Sequence, residues 1–171
     1  DHGPTPRHLV VIHRSAPPIE TAAVATWFGV DRCHHIHADA RADVERVARI
    51  VTGRSVGLVF GGGGARGFAH LGAVRAFLEA EVPVDHVGGS SIGAAVASAM
   101  ASGWEWDRMV EMVRMVTYGS GSLIDTTFPA IALGRGRRPT DGIKRGTGDI
   151  QIDDLWLEFF AVSTDLTSGD V

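Results

Sequence analysis

An α/β layer fold with a mostly parallel central sheet is what this sequence predicts, and three observations predict it. Short β-branched apolar runs recur along the chain. Stretches of helical periodicity separate them, and glycine-rich turns join a run to the helix that follows. No internal repeat or low-complexity tract interrupts the pattern.

The elements follow in order. Leu9, Val10, Val11 and Ile12 read as a buried strand, ended by Ser15, Ala16, Pro17 and Pro18. Pro18 suits the first turn of a helix reaching about Phe28, because the N–H that proline lacks would have no partner there. Residues 33–37 read as a second short strand. Asp39 is the expected cap of the next helix, where Val44, Val47, Ala48 and Val51 recur on one face and Gly53 stands at the stop position. Residues 56–60 form another buried-strand run, with Gly61 to Gly67 as the turn after it. A helix to about Glu81 then carries Leu71, Val74, Phe77 and Leu78 on one side until Pro83 breaks it. Residues 84–87 make a brief strand that enters a second glycine-rich turn at 88–93, from which a small-residue helix at 94–101 departs. Gly103 separates that helix from one carrying Trp106, Met109, Val110, Val113 and Val116. Residues 118–148, rich in Gly, Thr, Pro and Arg, read as a long loop region, and 155–162 as the last strand.

Composition bounds the function. The 171 residues fit one domain, or a domain with an extra lobe. A hydrophobic share of 44% supplies a core, and 21% charged residues is ordinary for a globular chain. The net charge of −4 gives no sign of a nucleic-acid partner. A single cysteine, Cys33, excludes an internal disulfide and fits a reducing compartment. The N-terminus lacks a basic-then-apolar signal pattern, and no apolar run approaches the roughly 18 residues of a spanning helix. The expectation is a soluble piece, cytoplasmic or at the cytoplasmic face of a membrane.

Gly89-Ser90-Ser91-Ile92-Gly93 matches G-x-S-x-G between a strand and a helix. A serine on so sharp a turn needs small neighbours for the bend and for substrate approach, and the helix N-terminus favours developing negative charge. Ser90 occupies the variable position, which leaves Ser91 as the nucleophile candidate. The earlier turn, Gly61 to Gly67, exposes backbone N–H groups that can bind a phosphate or the oxyanion of acyl transfer. A rival reading stays open here: Gly62, Gly64 and Gly67 satisfy the G-x-G-x-x-G of a dinucleotide site, with Asp85 as the ribose contact. Asp85, however, precedes its strand, whereas the dinucleotide acid belongs at the far end, where Ser91 stands. No Gly-Lys-Ser/Thr is present, which excludes a P-loop.

Together the two turns resemble the signature of the patatin-like phospholipase family. "VGLVFGGGGARGFAHLGAVRAFLEAEVPVDHVGGSSIGA" and "IQIDDLWLEFFAVSTDLTSGD" are similar to its neuropathy target esterase branch, bacterial members included, from about Asp43 onward. The resemblance implies a patatin-like three-layer α/β fold. Residues 55–171 would be the N-terminal part of the hydrolase domain, C-terminally incomplete, and residues 1–54 a strand–helix appendage. It implies a serine–aspartate dyad that hydrolyses phospholipid or lysophospholipid esters, with no metal or organic cofactor. By position, Ser91 is the nucleophile, Gly62, Gly63, Gly64 and Arg66 form the oxyanion loop, and Gly89 and Gly93 shape the nucleophile turn. Relatives in this branch often carry membrane segments and cyclic-nucleotide-binding domains upstream. Oligomeric state is left open.

The family's catalytic Asp, in an Asp-Gly-Gly or Asp-Gly-Ala motif, belongs after the Ser-Thr-Asp-Leu-Thr segment, so the expectation is that these 171 residues alone are inactive or nearly so. Asp141-Gly142 precedes the last strand and is a poor substitute; Asp165 reads as structural. A non-catalytic relative that keeps the glycine turns for binding is therefore the second alternative. His70 reads as packed at a helix start rather than as a base. Cys33, His34, His35 and His37 invite a metal reading, with His35 and His37 on one strand face, but the site lacks an obvious carboxylate partner. Arg135, Arg137, Arg138, Lys144 and Arg145, with Leu123, Phe128, Ile131 and Leu133, suggest attraction to an anionic lipid surface. Trp104 and Trp106 read as packing residues.

Overall fold

The computed structural model of the chain describes residues 5–14, 28–118, 141, 144, 148, 150–165 and 167–169. Two parallel sheets carry the fold. The first pairs β1 (His8–His13) with β2 (Arg32–His37). The second has the order β3 (Gly57–Phe60), β4 (His86–Gly89), β5 (Glu158–Ala161), with β4 in the middle. Parallel neighbours need helical crossovers. β2 leads into α1 (Arg41–Val51), β3 into a 3₁₀ turn at Gly64–Gly67 and α2 (Phe68–Glu79), and β4 into α3 (Ile92–Ala101) and α4 (Trp106–Tyr118). The α/β, parallel reading of the sequence holds. The helix expected over 18–28, Val116's side chain and most of the 118–148 region lie outside the described residues.

The core lies between the β3–β4–β5 sheet and α3. Phe60 and Val87 from the strands meet Ile92, Ala95, Val96 and Ala99 of α3, and Met109, Met112 and Val113 of α4 close the far side. Alanines let α3 approach the sheet closely, and Ala97, Ala99 and Ala101 are fully buried. Val74, Val87, Val96 and Val113 are also fully buried, each contributing about 1.5–3 kcal/mol. Gly88 makes the middle strand possible, because a Cβ there would enter the ring of Phe160 on β5.

One expectation about α1 is corrected, and its apolar stripe lies where amphipathicity alone would not put it. Asp39 is not its cap: the capping position is Ala40, with no side-chain bond, and Asp43 in the first turn reaches back to accept the His37 N–H at 2.8 Å. Nor does the valine stripe face the core, since Val44 and Val51 are 52% and 55% exposed. The helix instead turns Arg46 and Arg49 inward. Arg46 donates to Asp43 (2.6 Å) and to the His35 carbonyl (2.5 Å), while Arg49 grips Asp85. Guanidinium groups with buried acceptors outweigh a modest apolar stripe, because stranding Asp85 unpaired in the interior would cost more than exposing two valines. Gly53 and Gly103 end α1 and α3 with φ of +68° and +67°, as helix-stop glycines do.

Candidate active site

β4 delivers the chain to Ser90, whose N–H donates to the Phe60 carbonyl at 3.1 Å and ties the turn to the end of β3. The next residue, Ser91, has φ 53° and ψ −125°, and α3 begins at Ile92. Only two described non-glycine residues, Ser91 and Glu81, have positive φ. Such a conformation costs on the order of 1–3 kcal/mol and persists only where its surroundings enforce it. The surroundings are the flanking glycines. A Cβ on Gly89 would stand 2.7 Å from the Ala94 nitrogen, and one on Gly93 would stand 2.6 Å from the Gly61 carbonyl oxygen. Both obstacles are backbone, so only glycine fits at either position. The bend leaves Ser91 exposed at the N-terminal end of a ten-residue helix.

The earlier turn comes to meet it. A Cβ on Gly62 would lie 3.5 Å from the Ser91 Cβ, so the two turns are in van der Waals reach. Gly62, Gly63 and Gly64 are exposed, with Gly64 at φ 56°, and Arg66 donates its backbone N–H to the Gly63 carbonyl at 3.1 Å. Among the described residues, the Gly62 and Gly63 N–H groups have no hydrogen-bond acceptor. Ile92, first in its helix, has no acceptor within that helix for its own N–H. Unspent donors beside a serine hydroxyl are what an acyl-transfer oxyanion requires. Gly67 is buried, its missing side chain making room for Ile92, so it packs the two turns together. The Arg66 side chain is exposed.

His70 is not aimed at Ser91. Its Nε2 donates to the Gly61 carbonyl at 2.9 Å, and its ring rests on Phe60 at 5.3 Å, so it braces the glycine turn from the start of α2. Among the described residues, Ser91 Oγ has no hydrogen-bonded base. Asp141 is exposed, and Asp165 is turned on its own loop, accepting the Thr167 N–H at 2.7 Å, which holds its carboxyl below the usual range.

Asp85, the ribose candidate of the dinucleotide reading, is fully buried. It accepts three bonds from Arg49 at 2.6–3.1 Å and one from the Val56 N–H at 2.8 Å. Burial alone would raise its pKa, but these bonds more than offset that and hold it low. The carboxylate staples α1 to the start of β3 and has nothing left for a ribose.

His35 and His37 do share the strand face that meets Trp156, yet among the described residues no three His, Cys, Asp or Glu could hold a metal ion. Sequence reasoning missed what these histidines do: His8 pairs with His34 at 2.8 Å and His13 with His35 at 2.9 Å. It also missed their carboxylates: Asp43, six residues on, at 2.8 Å from His37, and Glu158, which only the fold brings near, at 3.5 Å from His34. Trp104 and Trp106 pack as expected, with Arg108 and Arg75 over their rings. Of the basic cluster, Lys144 is described and exposed; the arginines and the four apolar residues lie outside the described set. No helix among the described residues is long and apolar enough to cross a membrane.

Known proteins are similar to this part of the chain. The family model described as patatin-like phospholipase matches residues 58–147, which hold both glycine turns. The chain is 42% identical over 136 residues to "Neuropathy target esterase sws" of Drosophila sechellia, covering 75% of this chain and 9% of that protein. It is 40% identical over 136 residues to "Patatin-like phospholipase domain-containing protein 6" of Mus musculus and of Homo sapiens, covering 77% of this chain and 10% of each relative. The chain thus spans about a tenth of the length of these curated relatives. No solved structure matches.

Proposed function

Because the chain belongs to the patatin-like phospholipase family, we propose that it carries the nucleophile and oxyanion site of a serine hydrolase acting on phospholipid or lysophospholipid esters. The observation that carries the reading is Ser91 itself, held exposed at φ 53° on a strand-to-helix bend and within van der Waals reach of Gly62. In this reading Ser91 Oγ bonds to the ester carbonyl carbon while its proton passes to a carboxylate. The carbonyl oxygen becomes an oxyanion held by the N–H groups of Gly62, Gly63 and Gly64, with the Arg66 charge nearby. Collapse of the intermediate expels the alcohol, which takes up the proton, and water then releases the acyl group from Ser91. The activating carboxylate comes from outside the described residues. Lipid surfaces are the expected setting, where the positive charge of Arg135, Arg137, Arg138, Lys144 and Arg145 would attract anionic headgroups. Residues 1–54 form an appendage to the hydrolase unit that begins at 55.

Two rivals are separable. The dinucleotide reading loses its ribose contact to Arg49 and Val56, and nucleotide titration of the purified chain should show no binding. The other rival is a non-catalytic relative that keeps the glycine turns for binding; a positioned base usually supplies about 10²–10⁴-fold in rate, so turnover separates it from an enzyme. The test is hydrolysis of lysophosphatidylcholine by the complete protein and by these 171 residues, each with its Ser91→Ala variant. We expect serine-dependent turnover in the complete protein alone. Turnover that survives Ser91→Ala would overturn the nucleophile assignment, and serine-dependent turnover by the short piece would overturn its inactivity.

A further inference from the structure

The strand pair β1–β2 meets the hydrolase sheet through an unusual set of side chains. Six histidines, one tryptophan and one glutamate form the junction. Trp156, just before β5, is the hub: His37 stacks on it at 4.0 Å and 17°, and His13 and His35 meet its ring edge-on at 5.1 and 6.1 Å. The Trp156 ring in turn packs on Gly103, and the residue's backbone N–H donates to the Ala101 carbonyl at 2.8 Å, so the hub sits at the end of α3 opposite Ser91. At the other side of the junction Glu158 Oε2 takes Arg32 at 3.1 Å and His86 at 3.0 Å. Its Oε1 is buried without a hydrogen bond, 3.5 Å from His34 Nδ1. A cavity of about 730 Å³ lies here, lined among others by Arg32, His34, Arg46, Asp85 and Glu158.

We propose that this junction is a proton-operated clamp: neutral histidines hold β1 against β2 and both strands against Trp156 on the hydrolase side, and their protonation under mildly acidic conditions releases that hold. The hydrogen bonds explain why neutrality matters. With His35 Nε2 donating to the Asp153 carbonyl at 3.2 Å, its Nδ1 is left as the acceptor for His13 Nε2 at 2.9 Å. A proton on that Nδ1 sets two N–H groups head to head. The His8–His34 pair, 2.8 Å apart, likewise cannot hold two full charges.

Burial is the largest effect opposing protonation of His34, His35 and His13, while carboxylates also face the junction, Glu158 beside His34 and His86 and Asp43 beside His37. His34 is buried; Glu158 favours its charged form, but His8, Arg32 and Arg46 resist it, and the outcome is a pKa lowered to about 4. Burial also lowers His35; the Asp153 carbonyl and Asp154 pull it up, while His13 and Arg46 push it down. His13 is lowered by burial and by His37. Because the docked values lie below those of a free histidine, docking is at full strength above pH 6.5 and weakens as pH falls towards 4. With 6.5 released and about 4 docked, His34 alone weakens docking about 20-fold between pH 7 and pH 5.

The clamp is testable on the intact 171-residue chain by NMR, following the histidine ring signals and the His37–Trp156 and His13–Trp156 nuclear Overhauser effects from pH 7.5 to 4. We expect those contacts to vanish between pH 6 and 4.5 while far-UV circular dichroism keeps its helical signal. A chain carrying His34→Gln and His35→Gln should keep them to lower pH. Contacts that persist at pH 4.5, or that disappear only together with the helices, would overturn the clamp. So would a double variant, folded at pH 7, that opens at the same pH as the native chain. If the double variant does not fold, the native titration still decides.

Discussion

Replacing Asp85 with asparagine removes one charge from the interior while preserving shape, and the structure sets the cost. The carboxylate is fully buried and holds Arg49 through contacts of 2.6, 3.0 and 3.1 Å, with the Val56 N–H at 2.8 Å. Breaking a buried pair by removing one partner costs about 3–5 kcal/mol. Two features reduce that here. The asparagine oxygen still accepts the Val56 N–H, and the Arg49 side chain is 26% exposed, so its guanidinium recovers some water. We expect a loss of about 2–3 kcal/mol, or roughly 4–12 °C in Tm for a chain of this length. Urea unfolding followed by circular dichroism measures it. pH supplies an internal control. The Asp85 pKa is lowered on folding, so its contribution is present above about 3.8 and is lost as pH falls through the folded value. The gap between native and variant chains should therefore narrow below pH 4. A difference under about 0.5 kcal/mol at pH 7, or one that does not change with acid, would refute the staple.

Three further substitutions separate strain from reactivity. Ser91→Gly should be about 1 kcal/mol more stable than Ser91→Ala, because glycine relieves the strain at φ 53° and gives back part of that in backbone entropy; equal stabilities would deny the strain. Gly93→Ala should cost about 1–3 kcal/mol in thermal unfolding, since its Cβ meets the Gly61 carbonyl oxygen at 2.6 Å, and a neutral result would mean the turn is looser than described. Gly62→Ala meets only ordinary contacts, the nearest at 3.5 Å, so its stability should stay within about 0.5 kcal/mol. Its new methyl faces Ser91, however, and should slow acylation of that serine by about tenfold or more; unchanged reactivity would remove Gly62 from the oxyanion site.

What the sequence made legible was local. The Gly89–Gly93 pentapeptide names its own bend, because only glycine clears the backbone at either end, and Gly53 and Gly103 mark helix ends through one dihedral each. Short apolar runs located β1, β3 and β5, and β4 to within two residues. What stayed hidden depends on distant partners. The valine stripe of α1 looked like a core face, but Asp85, far along the chain, draws Arg49 and hence the opposite face inward. Arginines at 46 and 49, one turn apart, and an aspartate set just before a strand were the signals that pointed to it. The histidine pairs could not be read either, since register between β1 and β2 decides which rings meet: His8 lies opposite Arg32, and His13 opposite His37.

The claim beneath all of this is that one hydroxyl stands uncovered beside unspent amide hydrogens. Fluorophosphonate labelling of the 171-residue chain, mapped by mass spectrometry, tests it most directly. We expect one adduct, on Ser91, formed at least about 10²-fold faster in the folded chain than in urea, because the amide cradle acts even without a base. No adduct at Ser91, an adduct on Ser90 instead, or equal rates folded and unfolded would contradict the account.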